Sequence, residues 1–289
     1  MHSTVIIVFS YLLYKLGIFF ANALPFSISK YISTKIADIY SLFSKKDFCN
    51  VRENLKIILK KTDANLDFYA KEVFRNFALY LLEFFRIRKI DKEFIEKNFK
   101  IIGLENFQNE LKNGLGLIGL TAHIGNWELL GVIISILGIK INAVALEHKN
   151  SLVNKIFIGQ RESMGLNVLS LGDTKGCMKA LKRNEILALV GDRDFSDNSI
   201  TLKFFGKDTE FPKGPATLSL RTNSNILPGF LIREKSTFKI LLYEPICFER
   251  KGIIEEDIEE LTKRYVRVLE KIIEQYPTQW LMFRKFYRD

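Results

Sequence analysis

One stretch of the chain decides the fold: residues 115–138, which read LGLIGLTAHIGNWELLGVIISILG. Residues 115–120 are almost wholly apolar and predict a buried β-strand. From Trp127 to Leu137 apolar residues recur at helical spacing, and Gly138 ends the run. Asn126 is a good N-cap residue, so the stretch predicts a strand that turns directly into a helix.

Two residues with catalytic potential lie at this turn. His123 comes just before the predicted helix and Glu128 falls in its first turn, where free N–H groups and the helix dipole favour an ionised carboxylate. A carboxylate beside an imidazole fixes its tautomer and stabilises the imidazolium that forms when the ring accepts a proton. The pattern predicts His123 as a general base with Glu128 as its partner. The pair resembles a serine-hydrolase triad without its serine. The hydroxyl would then come from a substrate, which suggests acyl transfer onto an alcohol.

The same two residues also fit a plain helix cap and a surface charge. Scarcity favours the catalytic interpretation, because the chain has only three histidines. His2 is terminal and His148 lies in a polar Glu-His-Lys segment, which leaves His123 as the best candidate for a general base.

Composition narrows the class of partner. Apolar residues make up 47% of the 289 residues, including 24 Phe, and the formal net charge is +10. A basic surface suits nucleic acid, anionic lipid or an acidic protein. Since no nucleic-acid-binding signature is visible, we expect an anionic membrane and no nucleic acid. Three scattered cysteines indicate free thiols in a reducing compartment, and no spacing of Cys or His suggests a metal site.

The N-terminal segment predicts a membrane anchor. Thr4 to Leu24 is mostly apolar and would be about 31 Å long as a helix, enough to cross a bilayer core. Lys15 interrupts it, so the segment either spans or lies in the interface. A signal peptide ending near Ala23 competes, but no basic residue precedes the apolar run. Following lysines favour an uncleaved anchor with the body of the protein in the cytoplasm.

The remaining pattern predicts an α/β protein. Residues 25 to about 100 indicate helices over 27–42, 51–61 and 66–90. Beyond residue 101, strands are expected at 115–121, 141–147, 166–170, 185–190, 226–233 and 237–244. Helices are expected at 126–137, 151–164, 174–183, 214–222 and 255–276. This alternation predicts a mixed, largely parallel sheet flanked by helices. We expect an anchoring segment at 1–45 and one domain at 46–289, with its α/β core from about residue 101.

Three further places carry candidate chemistry. Asp192 and Arg193 follow a buried strand, where ligands of open α/β sheets bind, so they either line the cleft of His123 or form a solvated loop. Arg161 on a predicted helix is a candidate anion clamp. Pro215, near another helix start, leaves free amides for a phosphate or oxyanion, or marks a plain capped helix. A GxGxxG pattern at 114–119 lies before and within a strand, so no dinucleotide cofactor is expected.

Several blocks of sequence carry a family resemblance: Ala122-His-Ile-Gly-Asn-Trp-Glu128, Gly191-Asp-Arg-Asp194, Phe204-Phe-Gly206, Phe211-Pro-Lys-Gly-Pro-Ala-Thr217 and Pro277-Thr-Gln-Trp-Leu-Met-Phe-Arg-Lys285. In this order they resemble the lipid A late acyltransferases, the lauroyl and myristoyl transferases of Gram-negative bacteria. The N-terminal helix and the segment around Arg52 also fit, so the resemblance covers nearly the whole chain.

The resemblance implies an enzyme anchored on the cytoplasmic face of the inner membrane. It implies transfer of a fatty acyl chain from acyl-carrier protein or coenzyme A to a hydroxyl of a lipid A precursor, without metal or cofactor. It makes His123 the base, Glu128 its partner, and Arg161 and Asp192 important to the site. Arg161 or Arg193 would support negative charge. Two rivals stay open: acylation of another glycolipid, such as a mannosylated phosphatidylinositol, and a non-catalytic membrane-surface binding module.

Overall fold

The computed structural model describes residues 2–60, 65–195, 198–235 and 237–288, with side chains from residue 7 onward. The described helices are α1 His2–Ala23, α2 Phe26–Phe43, α3 Lys45–Leu59, α4 Leu66–Phe85, α5 Lys92–Asn98, α6 Leu104–Lys112, α7 Trp127–Ile136, α8 Ser151–Glu162, α9 Thr174–Lys182, α10 Gly214–Thr222 and α11 Ile254–Gln275. The described strands are β1 Phe99–Ile102, β2 Leu117–Thr121, β3 Ile141–Ala145, β4 Asn167–Ser170, β5 Ile186–Val190, β6 Ser199–Phe204, β7 Lys207–Pro212, β8 Asn225–Glu234 and β9 Thr237–Leu242. Short 3-10 turns occupy Ile87–Lys89 and Pro277–Gln279.

Within the described part of the chain, seven strands form one mixed sheet in the order β1-β9-β8-β2-β5-β3-β4. The neighbouring strands run parallel except for β8 and β9, which form an antiparallel hairpin. Strands β6 and β7 pair separately as a second hairpin. The predicted α/β fold with a largely parallel sheet is therefore confirmed, and so is the β8–β9 hairpin.

The sheet is buried on both faces, which explains why its central strands read as continuous apolar runs. Successive side chains of β2 point to opposite faces. Leu117 packs into the cluster that contains α7 and α8, whereas Ile118 and Leu120 pack into the cluster that contains α9, α10 and α11. Helix α7 is buried along most of its length and is apolar on all sides, as a helix between a sheet and other helices must be.

The turn between β2 and α7 depends on a glycine. Gly125 has φ +59°, and a Cβ atom there would lie 1.8 Å from the backbone oxygen of Leu231. This close approach lets Gly125 N donate to Gln279 O at 3.0 Å and Asn126 N donate to Leu231 O at 3.0 Å. The predicted N-cap is confirmed, because the Asn126 side chain accepts from Leu129 N at 3.0 Å. Only glycine allows the chain to turn this tightly against β8.

Helices α1 and α2 pack on the body of the protein. Tyr14 contacts the rings of Phe85 and Phe157, and Asn22 donates to the backbone oxygen of Phe85 at 2.9 Å. In the stretches that the structure describes, no helix combines enough length with enough apolar character to span a bilayer. A membrane-spanning form of the N-terminal segment is therefore not supported.

Several elements differ from the sequence prediction. The predicted helix over 66–90 ends at Phe85, and a 3-10 turn follows it. The region before residue 101 was expected to be helical, yet it contributes the start of the edge strand β1, which pairs in parallel with β9. The hairpin of β6 and β7 was not predicted. Its turn residues Phe205 and Gly206 both have positive φ, the geometry that a tight hairpin requires. Lys61, the last residue of another predicted helix, and the side chains of residues 4–6 lie outside the described residues.

The tight turn at Gly125 predicts a large effect of a single methyl group. Gly125→Ala should lower the free energy of unfolding by about 2–5 kcal/mol, because the left-handed backbone costs about 1–2 kcal/mol and overlap with Leu231 adds about 1–3 kcal/mol. Gly138→Ala is the matched control, since Gly138 also has positive φ but no atom lies within 4 Å of the added Cβ. It should lose only about 1–2 kcal/mol in urea denaturation. Equal losses in the two variants would contradict this account.

Candidate active site

The pairing of β2 with β5 brings two candidate residues together. Thr121, the last residue of β2, is in register with Val190, the last residue of β5. Beyond the strands, Gly191 N donates to Thr121 O at 2.8 Å, so the two chains stay side by side. His123 and Asp192 each follow two residues after their strand and meet at the carboxyl edge of the sheet. This is the edge at which open α/β sheets bind their ligands.

His123 is held by Asp192. Its Nδ1 atom lies 2.7 Å from Asp192 Oδ1, and the second carboxylate oxygen accepts from Trp280 Nε1 at 2.8 Å. An ionised carboxylate only accepts hydrogen bonds, so the imidazole carries its proton on Nδ1 and leaves Nε2 free to accept one. The His123 ring also packs edge-on against Trp127, with ring centroids 4.8 Å apart. This is the arrangement of a neutral base oriented by a carboxylate.

The expected contact between His123 and Glu128 is not present, and this part of the prediction was wrong. Glu128 instead accepts two hydrogen bonds from Arg161, from Nε at 2.8 Å and from Nη2 at 2.6 Å. The physical reason is the position of Glu128 on the first turn of α7, where its carboxylate faces the guanidinium of Arg161 on α8. Asp192, from the loop that follows the neighbouring strand β5, takes the place beside the imidazole.

The Glu128–Arg161 pair is buried between aromatic rings. The side chains are 7% and 11% exposed, and the Arg161 guanidinium lies 5.9 Å from the Phe84 ring and 5.8 Å from the Phe157 ring. A planar guanidinium suits both contacts, because it binds a carboxylate with two parallel hydrogen bonds and stacks on aromatic faces. Glu128 therefore links α7 to α8 directly beside the His123 turn.

A second buried ion pair supports the same turn from the other side. Glu83 accepts from Arg233 through both of its oxygens, at 2.7 and 2.8 Å, and from the side chain of capping residue Asn126 at 2.8 Å. Gln279 binds the backbone N and O of Arg233 at 2.9 and 2.8 Å. Since every one of these groups has a partner, the loop that carries His123 is tied to α4, β8 and the C-terminal residues.

Burial and charge act in opposite directions on the two paired groups. Burial lowers the pKa of His123, and the charge of Asp192 only partly offsets this effect. Burial alone would raise the pKa of Asp192, but the charges of His123 and Arg193, together with the hydrogen bonds from His123 and Trp280, hold it well below its usual range. The site thus keeps an ionised carboxylate next to an imidazole that stays neutral at neutral pH, with its Nε2 atom unprotonated.

The site opens on a cavity of about 920 Å³. His123, Glu128, Arg161 and Arg193 line its polar part, and the start of α10 at Gly214 and Pro215 reaches the same space. Much of the wall is apolar and includes Phe107, Leu130, Ile134, Leu166, Leu227 and Leu242. A cavity of this size and lining fits a ligand with a long apolar part.

The structure thus gathers the predicted site residues around one cavity, with Asp192 buried behind His123. Arg193 donates from Nη2 to the backbone oxygen of Leu281, and its Nε has no hydrogen-bond partner among the described residues. His148, expected at a polar strand end, lies on the cavity wall and packs on Phe157 at 4.4 Å. The role of Trp280 was missed, because it lies 88 residues after Asp192 and no local pattern links the two. Among the described residues, no group of His, Cys, Asp or Glu is arranged to hold a metal ion.

Fold and site together define an α/β protein with a histidine–carboxylate pair beside an apolar cavity. A sequence model of the bacterial lipid A biosynthesis acyltransferases matches residues 2–289, and the chain belongs to this family of acyltransferases. A phosphatidylinositol mannoside acyltransferase of Mycolicibacterium smegmatis is 26% identical over 241 residues, which cover 81% of this chain and 77% of the relative. A phosphatidylinositol mannoside acyltransferase of Mycobacterium tuberculosis is 24% identical over 216 residues, which cover 72% of this chain and 67% of the relative.

The buried pair predicts that Glu128 has a structural role besides any catalytic one. Glu128→Ala should lower the free energy of unfolding by about 3 kcal/mol, since it leaves the Arg161 charge buried without a partner. The double variant with Arg161→Leu should regain most of this loss in urea denaturation. Asp38→Ala is the matched control, because it breaks a carboxylate–arginine pair with Arg75 that is more exposed. It should cost no more than about 1 kcal/mol, and a loss as large as that of Glu128→Ala would argue against burial as the cause.

Proposed function

We propose that the protein transfers a fatty acyl chain from an acyl thioester to a hydroxyl of a glycolipid, with a lipid A precursor as the first candidate acceptor. The observation that carries this proposal is the His123–Asp192 pair, whose imidazole lies on the wall of a largely apolar cavity. The pair supplies a base for the hydroxyl and the cavity accepts an apolar chain. The family supports the reaction class.

In the proposed reaction, His123 Nε2 accepts the proton of the acceptor hydroxyl as the oxygen attacks the thioester carbonyl. The carbon–sulfur bond then breaks, and the imidazolium returns the proton to the leaving thiolate. Asp192 stabilises the imidazolium in between. The thioester already carries an activated acyl group, so the reaction needs no further reactant. The donor is acyl-carrier protein or acyl-coenzyme A, and a net charge of +10 favours the approach of an acidic carrier.

We assign the support of negative charge to Arg193 in preference to Arg161. The Arg161 guanidinium is already engaged by Glu128 through two hydrogen bonds. Arg193 lines the cavity next to His123 and has one N–H without a partner among the described residues. The charge of this guanidinium is therefore available to an oxyanion or an acceptor phosphate in the cavity.

A second acceptor deserves a parallel test because of the relatives. The two mycobacterial relatives described above are both named phosphatidylinositol mannoside acyltransferases, and each aligns with more than two thirds of this chain. A mannosylated phosphatidylinositol presents the same chemistry as a lipid A precursor: sugar hydroxyls, a phosphate and a membrane-embedded apolar part. The same base and cavity would serve either acceptor.

His123→Ala tests the reaction. The purified protein is incubated with each of the two acceptors and with a donor, acyl-carrier protein or coenzyme A, that carries a radiolabelled acyl chain. Wild-type protein should label one acceptor, and the variant should be slower by roughly 10²–10⁴-fold with an unchanged melting temperature, because a positioned base contributes about that factor. Full activity in the variant would exclude His123 as the base. A wild-type protein that binds lipid but consumes no thioester would favour the non-catalytic binding module.

We also propose that the protein works at the cytoplasmic face of the inner membrane. Helices α1 and α2 expose many large apolar side chains, among them Phe9, Leu13, Phe19, Phe20, Tyr31, Ile36, Ile39 and Phe43. Exposed lysines accompany them, including Lys15, Lys35, Lys45 and Lys46. Apolar surface combined with basic residues suits the interface of an anionic bilayer.

Vesicle flotation tests the surface. The double variant Phe19→Ser with Ile36→Ser removes two side chains that are 63% and 61% exposed. It should bind vesicles containing anionic phospholipid at least tenfold more weakly, since each large side chain contributes about 1.5–3 kcal/mol on burial. Ile254→Ser, at a similarly exposed residue at the start of α11, is the matched control and should bind like the wild type. Equal binding by all three proteins would place the membrane surface elsewhere.

A further inference from the structure

The C-terminal segment, residues 277–288, closes the site from one side. Ile124 and Trp280 form an isolated antiparallel bridge, and Leu281 N donates to the backbone oxygen of His123 at 2.7 Å. Trp280 itself is 3% exposed, and its indole N–H is 2.8 Å from Asp192 Oδ2. We propose that Trp280 is a positioning residue that holds the Asp192 carboxylate in the orientation in which its other oxygen binds His123.

The two hydrogen bonds that the Asp192 carboxylate accepts make this role specific to the indole of Trp280. The Asp192 side chain is fully buried, so each of its oxygens needs a donor from the protein. His123 donates a hydrogen bond to Oδ1, and Trp280 donates one to Oδ2. An indole N–H can only donate and an ionised carboxylate can only accept, so the contact cannot be reversed or exchanged. Without it, one charged oxygen would be buried without a donor, and the orientation of the carboxylate beside the imidazole would no longer be fixed.

The same segment also fixes the neighbouring groups. Arg193 donates to the backbone oxygen of Leu281, the residue after Trp280. The backbone of His123, the carboxylate of Asp192 and the guanidinium of Arg193 are therefore all bound to two consecutive residues. This convergence argues for a positioning function of the segment beyond the packing of one aromatic ring.

The effect of Trp280 on the pH dependence has a definite sign. The indole N–H points its positive end at Asp192, so its loss makes the surroundings of His123 more negative and raises the pKa of the imidazole. Loss of the Asp192 charge acts in the opposite direction. Among the described residues, the other charged or titratable groups that act on the pair are Arg193, Glu128, Tyr265 and, through Arg193, Arg284. None of them is changed by a Trp280 variant, so a shift in the profile reports on the indole contact.

The test compares three variants of the full-length protein and rests on the proposed acyl transfer. Trp280→Phe keeps an aromatic ring and removes the N–H, so kcat should fall roughly tenfold to a hundredfold through misplacement of the base. KM should change little. The acid limb of its kcat/KM profile should move to higher pH by roughly half a unit, whereas that of Asp192→Asn should move to lower pH. The two changes combined should cost less than the product of the single effects.

Asn54→Ala is the control for a purely structural role. Asn54 donates to the backbone oxygens of Met282 and Arg284 at 3.1 and 2.8 Å, so it anchors the same segment without touching Asp192. This variant should lose thermal stability with no movement of the acid limb. An unmoved limb in Trp280→Phe, or the same movement in Asn54→Ala, would overturn the proposal.

A spectroscopic measurement keeps the proposal testable even if Trp280→Phe fails to fold. The chain has two tryptophans, so the indole N–H resonances of the full-length protein are assigned with Trp127→Phe alone. The Trp280 N–H should be shifted downfield and protected from solvent exchange, and both properties should diminish in Asp192→Asn. If the chemical shift and solvent exchange of the Trp280 N–H are unchanged in Asp192→Asn, the contact is refuted. If the wild type transfers no acyl chain, the proposed function fails while this measurement still decides on the hydrogen bond.

Discussion

The pairing of β2 with β5 is the constraint on which the site depends. The register joins Thr121 to Val190, so the two chains leave the sheet side by side and His123 meets Asp192 two residues later. A slip of one residue would turn every side chain of β2 to the other face, including those that pack on the two layers of helices. The apolar core therefore fixes the register, and the register fixes the distance between the base and its carboxylate.

Two carboxylates near one histidine take different roles because their partners differ. Glu128 is neutralised by Arg161 through two hydrogen bonds, and the pair is enclosed by aromatic rings. Among the described residues, no arginine binds Asp192, which accepts single hydrogen bonds from His123 and Trp280. Its negative charge is thus available to stabilise an imidazolium, whereas that of Glu128 is used to join α7 and α8. Environment separates the two groups, as in other sites with paired carboxylates.

Local signals predicted much of this site. The apolar run of β2, the cap at Asn126 and the charged cluster after β5 are each readable within a few residues. The partner of His123 could not be read locally, because the choice between Glu128 and Asp192 depends on where α8 places Arg161. The short edge strand β1 and the β6–β7 hairpin were missed for a related reason: their pairing is set by distant chain segments or by a turn with two residues at positive φ.

Burial serves two purposes in this molecule at once. The apolar walls that give the cavity room for a hydrocarbon chain also withdraw His123 from water, and this burial lowers the pKa of the imidazole. The imidazole therefore stays neutral at neutral pH, even though the charge of Asp192 favours the imidazolium. When a proton does arrive from an acceptor hydroxyl, the same carboxylate stabilises it in surroundings where few water molecules compete. A more open site would weaken that stabilisation and leave less room for an apolar chain.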